Sequence, residues 1–393
     1  MKKIVLMSLV ASSILMAGGY QIPESSTNAV ALGAANVAHN HNSADAAYYN
    51  PAKMIFMSDE NHLDVNLMYI GLDGVTYKGS QTDKFGNTAS GLDLKAKKEN
   101  FVLPTIHYVS PKLGASNARV GLSIVSPAGL TKRWEEGPAK TSAEEFTLKT
   151  VEINPTAAFE INNKLAFAVG FRIVYSEGVV KSNGTIVANQ APSVTSVISR
   201  DMTGNSIDFG YNLALAYSPT SDLELALTYR SKIDLTEEGD AKLSSTTSGI
   251  IPSATYSGVS SVAVPLPATF SAAIAYTLPS KTTLEMVYER TYWSAYKSLD
   301  FGYDGTITNP VLVAAFNTPI AKKWKDTNTY RFGVTQELDK LTLMAGLVID
   351  ETPVPDSSLS YELPDSDSVA VSLGARYKIN DKIDIGLAGL YSM

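Results

Sequence analysis

The sequence predicts an all-β fold, a transmembrane antiparallel β-barrel of about thirteen readable strands, and three observations point to it. The first is alternation. Over 205–218 the odd positions Ile207, Phe209, Tyr211, Leu213, Leu215 and Tyr217 are apolar or aromatic, and the even positions between them are small or polar. After a break at Pro219 the pattern resumes, with Leu223, Leu225, Leu227 and Tyr229 set against Glu224, Ala226, Thr228 and Arg230. A period of two gives a strand one apolar face and one polar or small face, and roughly 9–11 tilted residues suffice to cross a bilayer. The second is composition: 393 residues, 18% of them charged, with a mean hydropathy of +0.00. That is too polar for a bundle of membrane helices and less charged than the ~25% usual in soluble domains. The third is an alternation in the length of the connections.

Taken in order, the chain opens with a secretory signal over 1–19. Lys2-Lys3 precede an apolar run over 4–16, and Ala17-Gly18-Gly19 form a small-residue exit with cleavage near 17–19. No later stretch approaches the ~18–20 apolar residues of a spanning helix. Residues 20–60 do not alternate; they are small and polar, as in Gly33-Ala34-Ala35-Asn36 and Ala44-Asp45-Ala46-Ala47. Ahead of a barrel, such a segment either hangs in the periplasm or folds into the lumen as a plug.

The barrel itself is expected over 61–393. Strands are read near 61–78, 98–110, 118–126, 145–161, 164–180, 205–218, 222–243, 261–277, 281–302, 324–337, 340–350, 366–379 and 382–391. Short turns such as Asn162-Asn163-Lys164, Pro279-Ser280-Lys281 and Asn380-Asp381-Lys382 follow the even-numbered strands. Long polar connections at 79–97, 127–144, 181–204, 244–260, 303–323 and 351–365 follow the odd ones. Short turns on one side and long loops on the other are the habit of outer-membrane barrels. Tyr69, Tyr108, Tyr175, Tyr217, Tyr229, Tyr276 and Tyr377 near strand ends suit interface girdles, or the ordinary strand preference of Tyr.

Several short motifs, in order over most of the chain, resemble the FadL/TodX family of outer-membrane transport proteins. They include Gly18-Gly19-Tyr20-Gln21-Ile22 at the mature start, Asn50-Pro51-Ala52, Ser126-Pro127-Ala128-Gly129-Leu130, Val151-Glu152-Ile153-Asn154-Pro155, Tyr229-Arg230-Ser231, Trp293-Ser294, Tyr330-Arg331 and Thr352-Pro353-Val354-Pro355-Asp356. The resemblance implies a monomeric fourteen-stranded barrel with an N-terminal hatch over 20–60, inserted among outer-membrane lipids by the barrel-assembly machinery. Its ligand would be a fatty acid or another hydrophobic small molecule, with no cofactor. The family pattern has the ligand leave sideways at an inward kink in the third strand, where Ser126, Pro127 and Gly129 stand here. Pro lacks a ladder donor and Gly weakens pairing, so the residues suit a break in the wall or a plain strand end. By the same resemblance Asn50, Pro51 and Ala52 form a hatch motif, Tyr20 lines an inner pocket, and Lys322 or Lys323 meets a carboxylate. The family's Arg on the fifth strand has no match, which leaves Lys181 as a nearby substitute and a neutral hydrocarbon as an equally natural ligand.

Other classes find little support. The mild acidity (net −7) offers no basic face for nucleic acid, and zero Cys excludes disulfides, thiolate metal sites and Cys nucleophiles. His39-Asn40-His41 with Asp45 lacks a firm third metal ligand. His62 and His107 sit in no hydrolase motif, so no enzyme or metal is expected. A general porin for polar solutes and a surface adhesin or phage receptor are the alternatives. The thirteen strands stop one short of the family's number, so either the last strand is lacking or the first and thirteenth strands close directly on each other.

Overall fold

Alternation converts directly into wall. The computed structural model describes residues 8–13, 18–40, 42–82, 88–114, 116–187, 195–248 and 252–393. Its strands are β1 (Ser8–Ser13), β2 (His62–Leu72), β3 (Thr76–Thr82), β4 (Thr88–Lys95), β5 (Glu99–Val109), β6 (Ala118–Val125), β7 (Gly129–Arg133), β8 (Glu145–Asn162), β9 (Leu165–Val187), β10 (Thr195–Tyr217), β11 (Leu223–Arg230) and β12 (Ile233–Thr247). They continue with β13 (Ala254–Leu266), β14 (Thr269–Thr277), β15 (Thr282–Thr291), β16 (Ser298–Leu299), β17 (Phe301–Tyr303), β18 (Ile320–Ala321), β19 (Thr327–Glu337), β20 (Leu341–Asp350), β21 (Ser368–Asn380) and β22 (Ile383–Ser392). Four short helices are α1 (Thr27–Leu32), α2 (Ala46–Tyr49), α3 (Gly137–Ala143) and α4 (Pro310–Phe316).

Antiparallel ladders run β2–β5–β6–β8–β9–β10, then through β11 and β12 to β14 and β13, and on through β15, β19, β20 and β21 to β22. The faces segregate as the alternation requires. Ile207, Phe209, Tyr211, Leu373 and Leu387 stand exposed outside, while Asn212, Ala214, Ala216 and Ser372 are buried inside. The outward residues thus form an apolar belt, and the inward residues a narrow lumen lined by small side chains.

Two expected connections, 181–204 and 244–260, are in fact largely strand. β9, β10, β12 and β13 run on well past the apolar belt. Their outward residues there are polar (Asp234, Thr236, Glu238, Asp240), but Leu235, Ala241 and Leu243 still point inward and are buried. Beyond the bilayer both faces lose strong hydropathy contrast, and the strand signal fades although the ladder continues. Conversely, the spans 222–243 and 261–277 each split in two. β10 pairs with β11 through Asn212–Tyr217 and with β12 through Ser196–Asn205, and Pro267 separates β13 from β14.

The first and last wall strands do not pair with each other. Between them lies β1, from the segment read as a leader, parallel to both; Leu9 stands opposite Leu67 on one side and Leu387 on the other. Two unpaired edges facing hydrocarbon leave backbone groups that cost several kcal/mol each, so any extended segment in reach is a favourable partner.

Residues 18–57 run inside the ring. α1 starts at Ser26, whose side chain accepts from the Ala29 amide at 3.0 Å, and ends at Gly33 in the left-handed region, φ 58°. All six of its residues are buried, packed on β20, β21 and β22. The fit is tight: a Cβ at Gly374 would lie 2.4 Å from that of Ala31.

Candidate functional site

The third wall position is where the ring opens. β5 pairs with β2 along its whole length but with β6 only from Ile106↔Ile124 to Val109↔Gly121. At Ser126-Pro127-Ala128 the chain leaves the ladder and resumes as β7, which pairs with β8 alone. Residues 99–105 of β5 therefore face β7 with no ladder between them. On the inner side of this break lies the N-terminal segment. Gly129 donates its amide to the Tyr20 carbonyl at 2.9 Å, and Ile22 donates to the Pro127 carbonyl at 3.0 Å. The outer end of the gap is closed by the Lys97 amide donating to the Arg133 carbonyl at 2.9 Å, and by an Arg133–Glu99 ion pair.

Behind the gap is a cavity of about 470 Å3. Ile22, Leu72, Phe101, Leu103, Leu130 and Leu148 make it apolar, and Val102 and Val151 carry its lining to the outer face of the wall. Ser126, Ala128 and Gly129 line it directly; Pro127 lines the adjoining space toward Tyr48 and Arg230. Arg331, at its inner edge, donates to the Gly33 carbonyl at 3.0 Å and pairs with Glu289 at 3.4 Å.

Tyr20 sits beside this cavity, fully buried in an aromatic box. Its ring lies 4.8 Å from Trp293, 5.9 Å from Trp324 and 6.3 Å from Tyr296, centroid to centroid. Its hydroxyl donates to the Pro265 carbonyl. The Trp293 Nε1, Trp324 Nε1 and Tyr296 hydroxyl are buried without acceptors, so the box holds unused donors as well as apolar area. The resemblance named Tyr20 as a pocket residue and Trp293 only as part of a motif; Tyr296 and Trp324, which stand on distant turns, carry no spacing signal in the sequence.

The candidate lysines do not gather around Tyr20 as free cations. Lys322 is buried and ion-paired with Glu362, and it also donates to Ser360 at 3.2 Å. Burial pushes the Glu362 carboxyl up, but Lys322 beside it outweighs this and holds it below the usual carboxylate range. Lys323 is exposed, with φ 51°. Lys181 points outward from β9 and lies 3.8 Å from Glu145. Asn50, by contrast, ties the inner segment together. Its Oδ1 accepts from the Ala52 amide at 3.1 Å, its Nδ2 donates to the Val37 carbonyl at 2.9 Å, and Pro51 opens the following 3-10 turn. Wall carboxylates hold the same segment. Glu285 accepts from the amides of Val37, Ala38 and His39, and Glu224 pairs with His39 and Lys53.

That use of His39 leaves no metal constellation: His41 lies outside the described residues, and among the described residues no group of three His, Asp or Glu comes together for a metal. His107 does meet Ser123 at 3.0 Å, but both are buried beneath the inner segment, and the other ring nitrogen faces the Ser25 carbonyl at 2.9 Å. A substrate has no access to that pair.

An apolar-belted barrel, filled by its own N-terminal segment and breached beside that segment, defines a membrane transport protein. Comparison with known proteins gives the family. Residues 8–393 match the model of the outer membrane protein transport protein family (OMPP1/FadL/TodX), and the chain belongs to it. It is an outer-membrane transport protein and not an enzyme. It is 24% identical to the long-chain fatty acid transport protein of Salmonella typhi, over 97% of this chain and 89% of that one. Its fold is similar to that of a Pseudomonas aeruginosa FadL homologue (TM-score 0.81, 19% identity, 95% and 90% of the two chains). It is similar also to the Pseudomonas putida toluene transporter TodX (TM-score 0.70, 16% identity, 92% and 90%).

Proposed function

We propose that this protein takes up long-chain fatty acids or other hydrophobic small molecules passively across the outer membrane, with residues 20–57 acting as a hatch and the gap between β5 and β7 as the lateral exit. The observation that carries the reading is the apolar cavity behind that gap, because it touches both the N-terminal segment and the outer face of the wall. Through the Tyr20–Gly129 and Ile22–Pro127 hydrogen bonds, a shift of the first residues alters the same backbone that edges the gap. A ligand that displaces Tyr20 from its box would thus loosen the hatch and widen the exit in one step.

The relatives divide over ligand: one is described as a fatty acid transporter and another as a toluene transporter. The occupied Lys322 and outward Lys181 give no free cation beside Tyr20, which suits a neutral tail or ring at that inner position. A deletion strain supplied with oleate or toluene as carbon source tests the reading. Growth should slow on at least one of them and recover with the gene restored. Unimpaired growth and unchanged uptake of both labelled compounds would reject it.

A further inference from the structure

Gly18 and Gly19 stand at the exit of the leader, and both are built into the body of the barrel. Each is buried, with φ of 78° and 73°. A Cβ on Gly18 would come within 2.6 Å of the Asp350 Oδ2, and one on Gly19 within 2.6 Å of the Trp293 ring. Both positions are left-handed and closed to any larger residue, so the two glycines belong to the working chain and not to a part that is discarded. A cut after Ala17 keeps both. A cut after Gly19, which places Ala17 and Gly19 at the usual small-residue positions, removes both.

The carboxylates that meet these glycines have no cation. Asp365 accepts on its Oδ2 from the Gly19 amide at 3.2 Å and from the Thr352 hydroxyl at 2.8 Å, and its Oδ1 is buried with no partner. Asp350 accepts on its Oδ1 from the Thr329 hydroxyl at 2.6 Å. Its Oδ2, the oxygen that lies against Gly18, has no hydrogen bond among the described residues. Arg331 lines the same cavity as Asp350 but is engaged by Glu24 at 3.7 Å and Glu289 at 3.4 Å. Two carboxylates brought together out of bulk water, with no positive charge between them, repel each other and lose hydration.

The missing charge is one that processing makes. In the precursor the Gly18 nitrogen is an amide, with one proton and no charge. When an export-site endopeptidase adds water across the Ala17–Gly18 bond, Ala17 leaves as a carboxylate. The Gly18 nitrogen takes up a proton and becomes an ammonium with three donors, beside two unused acceptors. We propose that this new α-ammonium is the cation of the Asp350–Asp365 pair, so that leader removal is itself the step that latches residues 18–22 to the wall. A charge-assisted hydrogen bond of this kind is about twice as strong as a neutral one. Tyr20 follows directly, so the latch fixes the same end of the chain that docks on Gly129. The cut also takes β1 out of the seam, and β2 and β22, both parallel to it, are left facing each other.

N-terminal sequencing of the protein purified from outer membranes should begin at Gly18. The latch is then read by labelling that protein in detergent with a pyridinecarboxaldehyde reagent selective for α-amines, followed by intact mass. Near neutral pH the folded wild type should label at least about tenfold more slowly than the heat-unfolded chain, because pairing keeps the amine protonated. Asp350→Asn and Asp365→Asn keep the side-chain shape and remove the charge, and each should raise the rate several-fold. Asp356→Asn, at an exposed carboxylate of the same connection, should not. Heat-modifiable gel mobility shows which variants are folded barrels, and either aspartate variant alone carries the comparison. A mature chain that starts elsewhere, a folded amine that labels as fast as the unfolded one, or protection that survives both substitutions would overturn the proposal. The labelling needs no ligand, so its failure leaves the transport reading standing, and a failure of uptake leaves the latch standing.

Discussion

At the scale of single residues, the lumen of this barrel is an exercise in neutralising charge. Glu152, fully buried on β8, is held by Arg172 at 2.9 Å and by Arg230. Glu237, on the part of β12 that has left the apolar belt, is treated differently. Burial pushes its carboxyl up to about 7, and Asp208 and Glu177 add to this against the opposing hydrogen bond from Ser176. A carboxylate raised from an unfolded value near 4.5 holds its proton more tightly in the folded state. Its contribution is full below about pH 4.5 and declines as pH rises to about 7, by at most about 3 kcal/mol. The midpoint temperature of the gel-mobility shift should therefore fall between pH 5 and pH 8, and Glu237→Gln should flatten that slope. An unchanged slope in the variant would refute the assignment. Which face each residue takes was legible from alternation alone. Who its partner is was not, because Glu152 meets Arg230 across 78 positions of sequence through strand order that no local pattern encodes.

The elements show the same division. β8, β19, β20 and β22 lie close to where period-two patterning puts them, since each crosses the apolar belt with one face wet and one face greasy. The break after β6 was readable as Pro127 and Gly129, but its use as an exit came only from the family resemblance: the fate of a freed edge depends on what else is near. Here the near element is the N-terminal segment, and its approach depends on Gly19. That residue has φ +73°, and a Cβ there would come within 2.6 Å of the Trp293 ring. Gly19→Val adds both backbone strain and a clash with the box that holds Tyr20. It should displace residues 19–22 from the break while the ladders stay intact. The expected result is a barrel of normal heat-modifiable mobility whose uptake of labelled oleate changes several-fold, with no matching change in amount at the membrane. Wild-type uptake in that variant would show that the docking of Tyr20 on Gly129 has no bearing on passage.

For the whole molecule, the question is whether the plug must move for the lumen to conduct. The packing argues that any motion is concerted. α1 is buried along its entire length, Glu285 takes three amides of the inner segment, and Arg331 reaches its helix end at Gly33. Release of the segment strips the buried Glu285 carboxylate of its three amide donors, at a cost of about 1–3 kcal/mol or more. The absence of cysteine makes a direct test possible, because an introduced pair has no competitor. A Cβ built at Gly333 on β19 lies 3.0 Å from the Ala35 Cβ, about half an ångström inside the short end of disulfide spacing, so a small easing apart of segment and wall lets the bond form. In Ala35→Cys/Gly333→Cys the oxidised bond tethers the inner segment to the wall next to Gly33, far along the chain from the Tyr20 box. If passage requires the whole segment to shift, oxidation should block oleate uptake and a reductant should restore it. If instead only residues 19–22 move, the oxidised and reduced forms should transport alike, and the gate shrinks to the few residues hydrogen-bonded to the break. Either result bears on the wall as much as on the plug. A tethered segment that still admits ligand means the cavity behind β5 and β7 fills without emptying the lumen, so the barrel never becomes an open pore.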